Sequence, residues 1–362
     1  MILGIDASQA NRKIRSGTEW YAWHLIQEFK RLLAGRSDIQ VRLYTRDLPQ
    51  ADLANNLPDN FAFKVLRWPL KYFWGQLRLS LEMWINPPDI LFCPAHTIPL
   101  IHPEKTFTTL HDVGFKDYPE LYDKLSLWYH RFSAWLAIKK ARHIFTVSEF
   151  SKERIVENYG CDPGKITVTH LGIDQHMPIG IKLSVLKKYG LEEKRYVLYV
   201  GRLEPKKNIL RMIGAHQTLR RAQGDKTPLL VLAGRNLMDI YSDENIKLLD
   251  YVPEEDKQAL YQGAAVFLFP TLYEGFGLPI LEAQAAGTPV ITSNTASNPE
   301  IAGQGAVIVN PDSEHEIAEA VKQLTSNREL ATEKIKLGYE NIKRFTWDKT
   351  ARLTLSVIYE QI

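Results

Sequence analysis

The chain has 362 residues, enough for two domains of ordinary size. A formal net charge of only +3 gives no global signature of nucleic-acid binding, and two cysteines far apart in sequence exclude a disulfide framework or a cysteine metal cluster. The thiols fit a reducing, cytoplasmic setting; the first strand is expected from residue 2, leaving no room for a signal peptide, and no apolar run approaches the ~18 residues of a membrane span.

Along the first half, short apolar runs predict strands at 2–6, 41–45, 63–67, 90–93, 107–110, 144–147 and 166–170. Longer patterns of helical period lie between them, at 19–33, 125–140 and 150–159. After the first strand comes a basic loop, Asn11-Arg12-Lys13-Ile14-Arg15-Ser16-Gly17-Thr18-Glu19. It reads either as a surface loop or as one that closes over phosphates or meets a second substrate, with Arg15, Ser16 and Gly17 as candidates.

The segment from Lys64 to Arg78 is compositionally odd, with four cations (Lys64, Arg67, Lys71, Arg78), four aromatics (Trp68, Tyr72, Phe73, Trp74) and no acid. Seven of the eight tryptophans lie in the first 135 residues. Two readings stay open. One is a peripheral contact with an anionic membrane surface, carried by Lys64, Arg67, Lys71 and Trp74. The other is an amphipathic helix packed on its own domain. Farther on, His111-Asp112 follows the strand at 107–110, and Val147-Ser148-Glu149-Phe150-Ser151 ends the strand at 144–147. A lone histidine there reads equally as a buried, hydrogen-bonded core residue, with Asp112 as a cap.

Residues 173–194 read as a linker that ends in a short helix at 183–189. The second half predicts strands at 196–200, 229–233, 246–249, 266–269, 290–292 and 306–309, with helices at 209–222 and 317–324. A last helical pattern runs to Ile362. Continuous apolar strands alternating with helices predict parallel sheets covered on both faces, so each half is an α/β, Rossmann-like, doubly wound domain.

Two stretches of the second half carry chemistry. Gly201-Arg202-Leu203-Glu204-Pro205-Lys206-Lys207-Asn208 follows the strand at 196–200. Two cations at a strand's C-terminal edge suit a diphosphate, Arg202 as a planar fork and Lys207 as a point charge. Lys206 reads as a solvated neighbour. The second stretch, Thr271-Leu272-Tyr273-Glu274-Gly275-Phe276-Gly277-Leu278-Pro279-Ile280-Leu281-Glu282, sets two carboxylates around a glycine turn with seven residues between them. Strand, turn and helix N-terminus make an anion site, and glycine lets the backbone approach a ligand. Acids beside a phosphate site repel phosphate unless they bind hydroxyls. A ligand bearing both phosphate and sugar satisfies both, which points to a nucleotide-sugar. The competing reading is a pair of solvated acids, with Glu282 complementing the helix dipole.

Taken together, the Glu-x7-Glu region, Gly201-Arg202-Leu203 with Lys207-Asn208, His111-Asp112, Val147-Ser148 with Ser151, and Ser16-Gly17 resemble the retaining glycosyltransferases of family 4, in the family's order and over about 270 residues. Many members have two adjacent glycines where this chain has Ser16-Gly17. The resemblance implies a GT-B fold, two Rossmann-like doubly wound parallel-sheet domains facing a central cleft. It implies an acceptor-side domain at 1–172, a nucleotide-sugar domain at 173–345, and a C-terminal helix at 346–362 packing back on the first. It also implies that Glu282 binds the ribose and Glu274 the sugar hydroxyls, that Gly275, Phe276, Gly277 and Leu278 meet the sugar or diphosphate, and that Gly17 approaches the donor. His111 is expected to position a sugar hydroxyl, and Arg202 and Lys207 to stabilise the leaving diphosphate. The implied activity is metal-independent, retaining hexosyl transfer from a GDP- or UDP-linked donor to a glycan or lipid-linked acceptor in polysaccharide synthesis, with no cofactor. The surroundings of Ile5-Asp6-Ala7 and His111-Asp112-Val113 resemble mannosyl-type enzymes. A nucleotide-sugar epimerase and a non-catalytic nucleotide-sugar-binding subunit on the same fold remain as rivals. No Gly-x-Gly-x-x-Gly follows a strand, and no P-loop or metal-ligand spacing is present, which sets aside dehydrogenases, P-loop ATPases and zinc sites.

Overall fold

A computed structural model describes residues 1–70, 73–174, 180 and 182–361. The chain divides into two compact units: Met1–Gly172 with Trp347–Ile362, and Ile173–Thr346.

The first unit holds seven parallel strands: β1 (Ile2–Asp6), β2 (Gln40–Thr45), β3 (Phe61–Val65), β4 (Ile90–Cys93), β5 (Thr106–Thr109), β6 (His143–Thr146) and β7 (Ile166–Val168), in the order β3-β2-β1-β4-β5-β6-β7. The order reverses between β1 and β4, so this sheet has its switch point there. β4, β5 and β6 are buried along their whole length, as strands covered on both faces must be. β3 lies two residues earlier than its apolar pattern predicts. Phe61 pairs with Val41 and Val65 with Thr45, so the extent of β2 sets the limits of β3.

The helices Trp74–Leu79 with Ser80–Ile85, Lys124–Lys140 and Glu149–Tyr159 pack on one apolar cluster of this sheet through Trp74, Met83, Ala134, Leu136 and Ile155. The C-terminal helix Trp347–Glu360 lies against the helix Gly17–Leu33 of the same unit. Trp347 stacks on His24 with ring centroids 4.5 Å apart, Asp348 pairs with Arg31, and Thr350 Oγ1 donates to the His170 carbonyl at 2.6 Å.

The second unit holds β8 (Tyr196–Val200), β9 (Leu229–Ala233), β10 (Ile246–Leu249), β11 (Val266–Phe269), β12 (Val290–Ser293) and β13 (Ala306–Val309), all parallel, in the order β10-β9-β8-β11-β12-β13. Its switch point lies between β8 and β11, and both chemistry-bearing stretches leave the sheet at the C-terminal ends of those two strands. Among the described residues, no helix is long and apolar enough to cross a membrane.

Candidate active site

The loop after β8 begins with a close backbone crossing. Gly234, which follows β9, has φ +140°, and a Cβ there would sit 2.0 Å from the Gly201 carbonyl oxygen. Only glycine allows that approach. Tyr199, fully buried, donates from its hydroxyl to the Arg202 carbonyl at 2.9 Å, which fixes the turn that presents Arg202. The Arg202 side chain is 61% exposed and its guanidinium lies 3.4 Å from Glu204, so it is held loosely and stays accessible. Lys206, expected in solvent, is instead largely buried beside Glu204 at 3.7 Å, because its main chain is pinned: its carbonyl accepts the Leu272 N–H at 2.9 Å.

Asn208 joins the two loops. It adopts φ +64°, a left-handed conformation that asparagine tolerates better than most residues. Its buried side-chain amide donates to the Pro270 carbonyl at 2.9 Å and to the Pro311 carbonyl at 2.7 Å. The clamp brings Lys207 to Glu274, with Nζ 2.6 Å from Oε1. Both side chains are only 13% exposed, so the pair is shielded but open at one edge.

The turn at 274–277 is held from β12. Ser297 Oγ donates to the carbonyls of Glu274 and Phe276 at 2.9 and 2.8 Å. Ser293 Oγ donates to the Thr271 carbonyl at 2.6 Å, and Asn298 Nδ2 donates to Thr271 Oγ1 at 2.9 Å and to Ser293 Oγ at 2.7 Å. Gly277 has φ +100° and caps the helix Leu278–Ala285, with Pro279 in the first turn, where its missing N–H costs nothing. In that first turn Pro279 has no N–H and the Ile280 N–H donates to the Gly277 carbonyl at 3.0 Å, while the positive end of the helix dipole faces the turn.

Glu282 sits one turn in. Its Oε2 accepts the Tyr261 hydroxyl at 2.7 Å. Burial pushes its carboxyl above the usual range, and Lys257 opposes that shift. A partly buried carboxylate with spare acceptor capacity and no cation within ion-pair distance among the described residues is suited to accept hydroxyl donors. The second unit therefore assembles Arg202, Lys207, Glu274, the 275–278 turn and Glu282 around one switch point. Nothing in the local sequence of Asn208, Ser293, Ser297 or Asn298 announces that they hold it together.

In the first unit, His111 is buried at the C-terminal edge of β5. Its ring stands edge-on to Tyr21 at 4.7 Å and to His96 at 5.2 Å, and Nε2 lies 3.2 Å from the Pro94 carbonyl. Burial lowers its pKa to about 3, with His96 adding to the effect, so the imidazole is neutral at physiological pH. Ser151 Oγ donates to the His111 carbonyl at 3.0 Å, while Ser148 caps the helix Glu149–Tyr159 by accepting the Ser151 N–H at 3.0 Å. The Val-Ser-x-x-Ser segment thus positions the His111 main chain. Asp112 accepts the Gly114 N–H at 2.8 Å, as a cap does.

The basic loop is less free than its composition indicates. Arg15 is buried along its side chain, pairs with Asp52 at 2.5 Å, donates to the Ala10 carbonyl at 2.9 Å and lies over Trp20. Ser16 is the N-cap of the helix Gly17–Leu33, its N–H donating to Glu19 at 3.1 Å. Gly17 opens that helix, and a Cβ there would meet open space. Arg15 and Ser16 are committed to local structure.

The stretch 64–78 is corrected more strongly. Trp74 is only 7% exposed, and its indole N–H donates to the Leu66 carbonyl at 2.8 Å: it is core. Lys64 pairs with Glu82, and Arg78 lies 3.6 Å from the same carboxylate, an acid just outside the acid-free window. Arg67 and Phe73 are exposed. Lys71 and Tyr72 lie outside the described residues.

Two family models match the chain: "Glycosyltransferase Family 4" over residues 15–176 and "Glycosyl transferases group 1" over residues 184–341. Among curated relatives, O-antigen chain mannosyltransferase B of Escherichia coli is 33% identical over 268 residues, covering 70% of each chain. O-antigen chain mannosyltransferase RfbU of Salmonella typhimurium is 27% identical over 282 residues, covering 75% of this chain and 74% of its own. Among solved structures, Anabaena Alr3699/HepE in complex with UDP and glucose aligns with TM-score 0.71 at 16% identity over 99% of both chains. WaaG, a glycosyltransferase involved in lipopolysaccharide biosynthesis, aligns with TM-score 0.73 at 15% identity over 99% of both. These two likenesses show the fold, the GT-B pair of parallel-sheet α/β domains.

Proposed function

The chain belongs to glycosyltransferase family 4, with the group 1 domain as its second half, and we propose that it transfers mannose or a similar hexose, with retention, from a GDP- or UDP-linked donor to a glycan or lipid-linked acceptor in polysaccharide synthesis. The observation that carries this reading is the pairing of Lys207 with Glu274 at the switch point of the second sheet, next to Arg202 and one helical turn from Glu282. Cations for a diphosphate stand beside carboxylates for hydroxyls, the two chemistries of a nucleotide-sugar.

In this reading Arg202 and Lys207 hold the diphosphate and stabilise the charge that grows on it as the glycosidic bond breaks, in the place of a divalent metal. Glu274 holds sugar hydroxyls and Glu282 the ribose. The 275–278 turn and the helix N-terminus behind it add backbone donors. The acceptor attacks on the face the diphosphate leaves, through an oxocarbenium-like state, and the departing phosphate takes the acceptor proton. His111, neutral and hydrogen-bonded, orients a hydroxyl and is not the base. Most of the rate then comes from positioning and charge stabilisation. The first unit meets the acceptor, and the enzyme works in the cytoplasm. The support is the family, the mannosyltransferase relatives and the residues just described.

The deciding experiment incubates the protein with GDP-mannose, UDP-glucose and their 4-epimers, and follows release of the nucleoside diphosphate with and without a glycan acceptor. Release from one donor, stimulated by the acceptor, is expected. Interconversion of sugars with no release would assign an epimerase. Binding with neither outcome would assign a non-catalytic subunit.

A further inference from the structure

The helix Glu254–Gly263 packs beside the helix Leu278–Ala285 that carries Glu282. One line of its side chains, Glu254, Lys257 and Tyr261, three and four residues apart, shares a single face. That face is fixed at one end by Tyr261, which is buried and donates to Glu282 Oε2 at 2.7 Å. The helix itself is held from below. The Tyr196 hydroxyl donates to the Leu260 carbonyl at 2.5 Å, and Thr288 Oγ1 donates to the Tyr261 carbonyl at 2.5 Å. Lys257 stands one turn before Tyr261 on the same line. Its side chain is 25% exposed, and its Nζ lies 2.5 Å from Glu254 Oε1. Lys257 is therefore placed between two carboxylates, in direct contact with Glu254 and beyond ion-pair distance from Glu282.

The other charged groups near this line are engaged elsewhere. Asp256 accepts Lys188 Nζ at 2.6 Å and the Tyr189 hydroxyl at 2.7 Å, and Glu255 is exposed. β11 and β12, which pack against the Glu282 helix, contain no titratable residue. The helix Arg328–Ile342 meets it at Gln284 and Gly287, through Asn341 and the Tyr339 hydroxyl, and the helix Asn298–Ala302 carries Glu300. Among the described residues, the cation that acts on Glu282 is Lys257. Burial raises the Glu282 carboxyl, Lys257 and the Tyr261 hydrogen bond lower it, and Glu254 raises it. The effect is mutual: burial lowers Lys257, and Glu282 and Glu254 outweigh that and raise it.

We propose that Lys257 is a positioning residue of the donor site, whose charge, shared between Glu254 and Glu282, keeps Glu282 ionised for the arriving nucleotide. This rests on the reading of Glu282 as the acceptor of ribose hydroxyls. Tyr261 already occupies Oε2, so the ligand needs Oε1 as an acceptor, and a protonated carboxyl would spend one oxygen on its own O–H. Without Lys257, Glu254 and Glu282 would face each other as like charges, each favouring the protonated form of the other. The competing role of Lys257 is an i,i+3 surface pair with Glu254 alone, worth a few tenths of a kcal/mol to the helix. That role leaves Glu282 untouched.

The test measures Glu282 with and without ligand. In the ligand-free protein, the Glu282 carboxyl is followed by ¹³C NMR from pH 4 to 9 and assigned by its loss in Glu282→Gln. Lys257→Gln should raise its midpoint by about one unit, and Lys257→Arg should restore it. Calorimetry with GDP and with UDP then gives Kd from pH 5.5 to 8.5. The weakening caused by Lys257→Gln should grow about five- to tenfold from the alkaline to the acid end, as loss of the ionised carboxylate requires. In the Glu282→Gln background the same replacement should add no such pH dependence. Circular dichroism confirms that each variant folds. An unmoved midpoint with normal nucleotide binding assigns Lys257 to Glu254 alone and overturns the proposal. Equal weakening at every pH would make Lys257 a direct ligand contact and overturns it too. If neither GDP nor UDP binds the wild type at any pH, the donor reading falls and this role falls with it, a result distinct from an unmoved midpoint.

Discussion

Lys207 Nζ lies 2.6 Å from Glu274 Oε1, so the cation expected on phosphate and the acid expected on sugar already hold each other. The pair arises because Asn208 and the Lys206–Leu272 hydrogen bond draw two loops together across the switch point. Lys207→Ala should weaken nucleoside diphosphate binding by roughly 1.5–3 kcal/mol, about ten- to a hundredfold in Kd. Glu274→Gln should mainly lower kcat, since the sugar changes charge and shape at the transition state. The double variant should fall short of the sum of the two by about 0.5–3 kcal/mol, as contacting residues do. Additive effects in calorimetry and steady-state kinetics would show that the contact between Lys207 and Glu274 contributes nothing to either step.

Glu282 separates stability from binding. Its folded pKa is raised above 4.5 chiefly by burial, so the fold favours the protonated form. Such a group contributes stability below the unfolded pKa and loses it as pH rises through the folded value. Once ionised, the carboxylate is therefore a net cost to the ligand-free protein. Glu282→Gln keeps an acceptor for the Tyr261 hydroxyl and removes the charge. Its melting temperature should equal or exceed the wild type's, while Kd for the nucleoside diphosphate rises about ten- to a hundredfold. Intact affinity would remove Glu282 from the ribose.

Binding should not depend on a divalent ion, because Arg202 and Lys207 supply the positive charge. Calorimetry of UDP and GDP with and without EDTA measures this directly. Loss of binding on chelation would return the diphosphate to a metal.

Much of this arrangement was legible in the sequence, and the reasons are local. β4, β8, β9 and β11 fall where continuous apolar runs place them, since strands buried on both faces leave an unbroken signal, and β1, β10 and β13 also lie at their expected positions although the edge strands β10 and β13 are only partly buried. Arg202, Lys207, Glu274 and Glu282 sit at strand ends and a glycine turn, and strand ends of parallel sheets are where ligands bind. The residues that fix them were not legible. Asn208 works through carbonyls 62 and 103 residues away, and such contacts leave no mark on neighbouring sequence. Composition also could not tell an inward tryptophan from an outward one. For Trp74 a membrane contact and internal packing both stood open, and it is core, whereas Trp128 and Trp135 are exposed on the helix Lys124–Lys140.

Acid should destabilise the protein earlier than carboxylate titration alone would. Burial lowers His111 from 6.5 to about 3 and His143 to about 4. A depressed folded value means stability that is present above 6.5 and lost as pH falls toward the folded values. For His111, which is nearly fully buried, the slope is at most about 1.4 kcal/mol per pH unit. Thermal melts from pH 8 to 5 should show a decline beginning near 6.5, and His111→Asn should flatten it even if it lowers every melting point. An unchanged slope would mean that His111 is solvated and free to ionise.

Asn208 offers the sharpest test of how the site is built. It combines a left-handed backbone with two buried hydrogen bonds, to Pro270 at 2.9 Å and Pro311 at 2.7 Å. Asn208→Ala leaves both carbonyls without their donor and holds a residue with no polar side chain in a left-handed conformation, which costs up to about 1–2 kcal/mol. Together with roughly 1–3 kcal/mol for an unsatisfied buried group, the loss should reach about 3–5 kcal/mol. Asn208→Gly relieves the backbone cost but not the missing bonds. The order of melting temperature should be wild type, then glycine, then alanine. Both variants should also weaken nucleotide binding, because Lys207 is the adjacent residue and loses its fixed approach to Glu274. If alanine is as stable as glycine, the left-handed backbone is not what Asn208 supplies. If binding survives in both, Lys207 is placed by something other than this clamp.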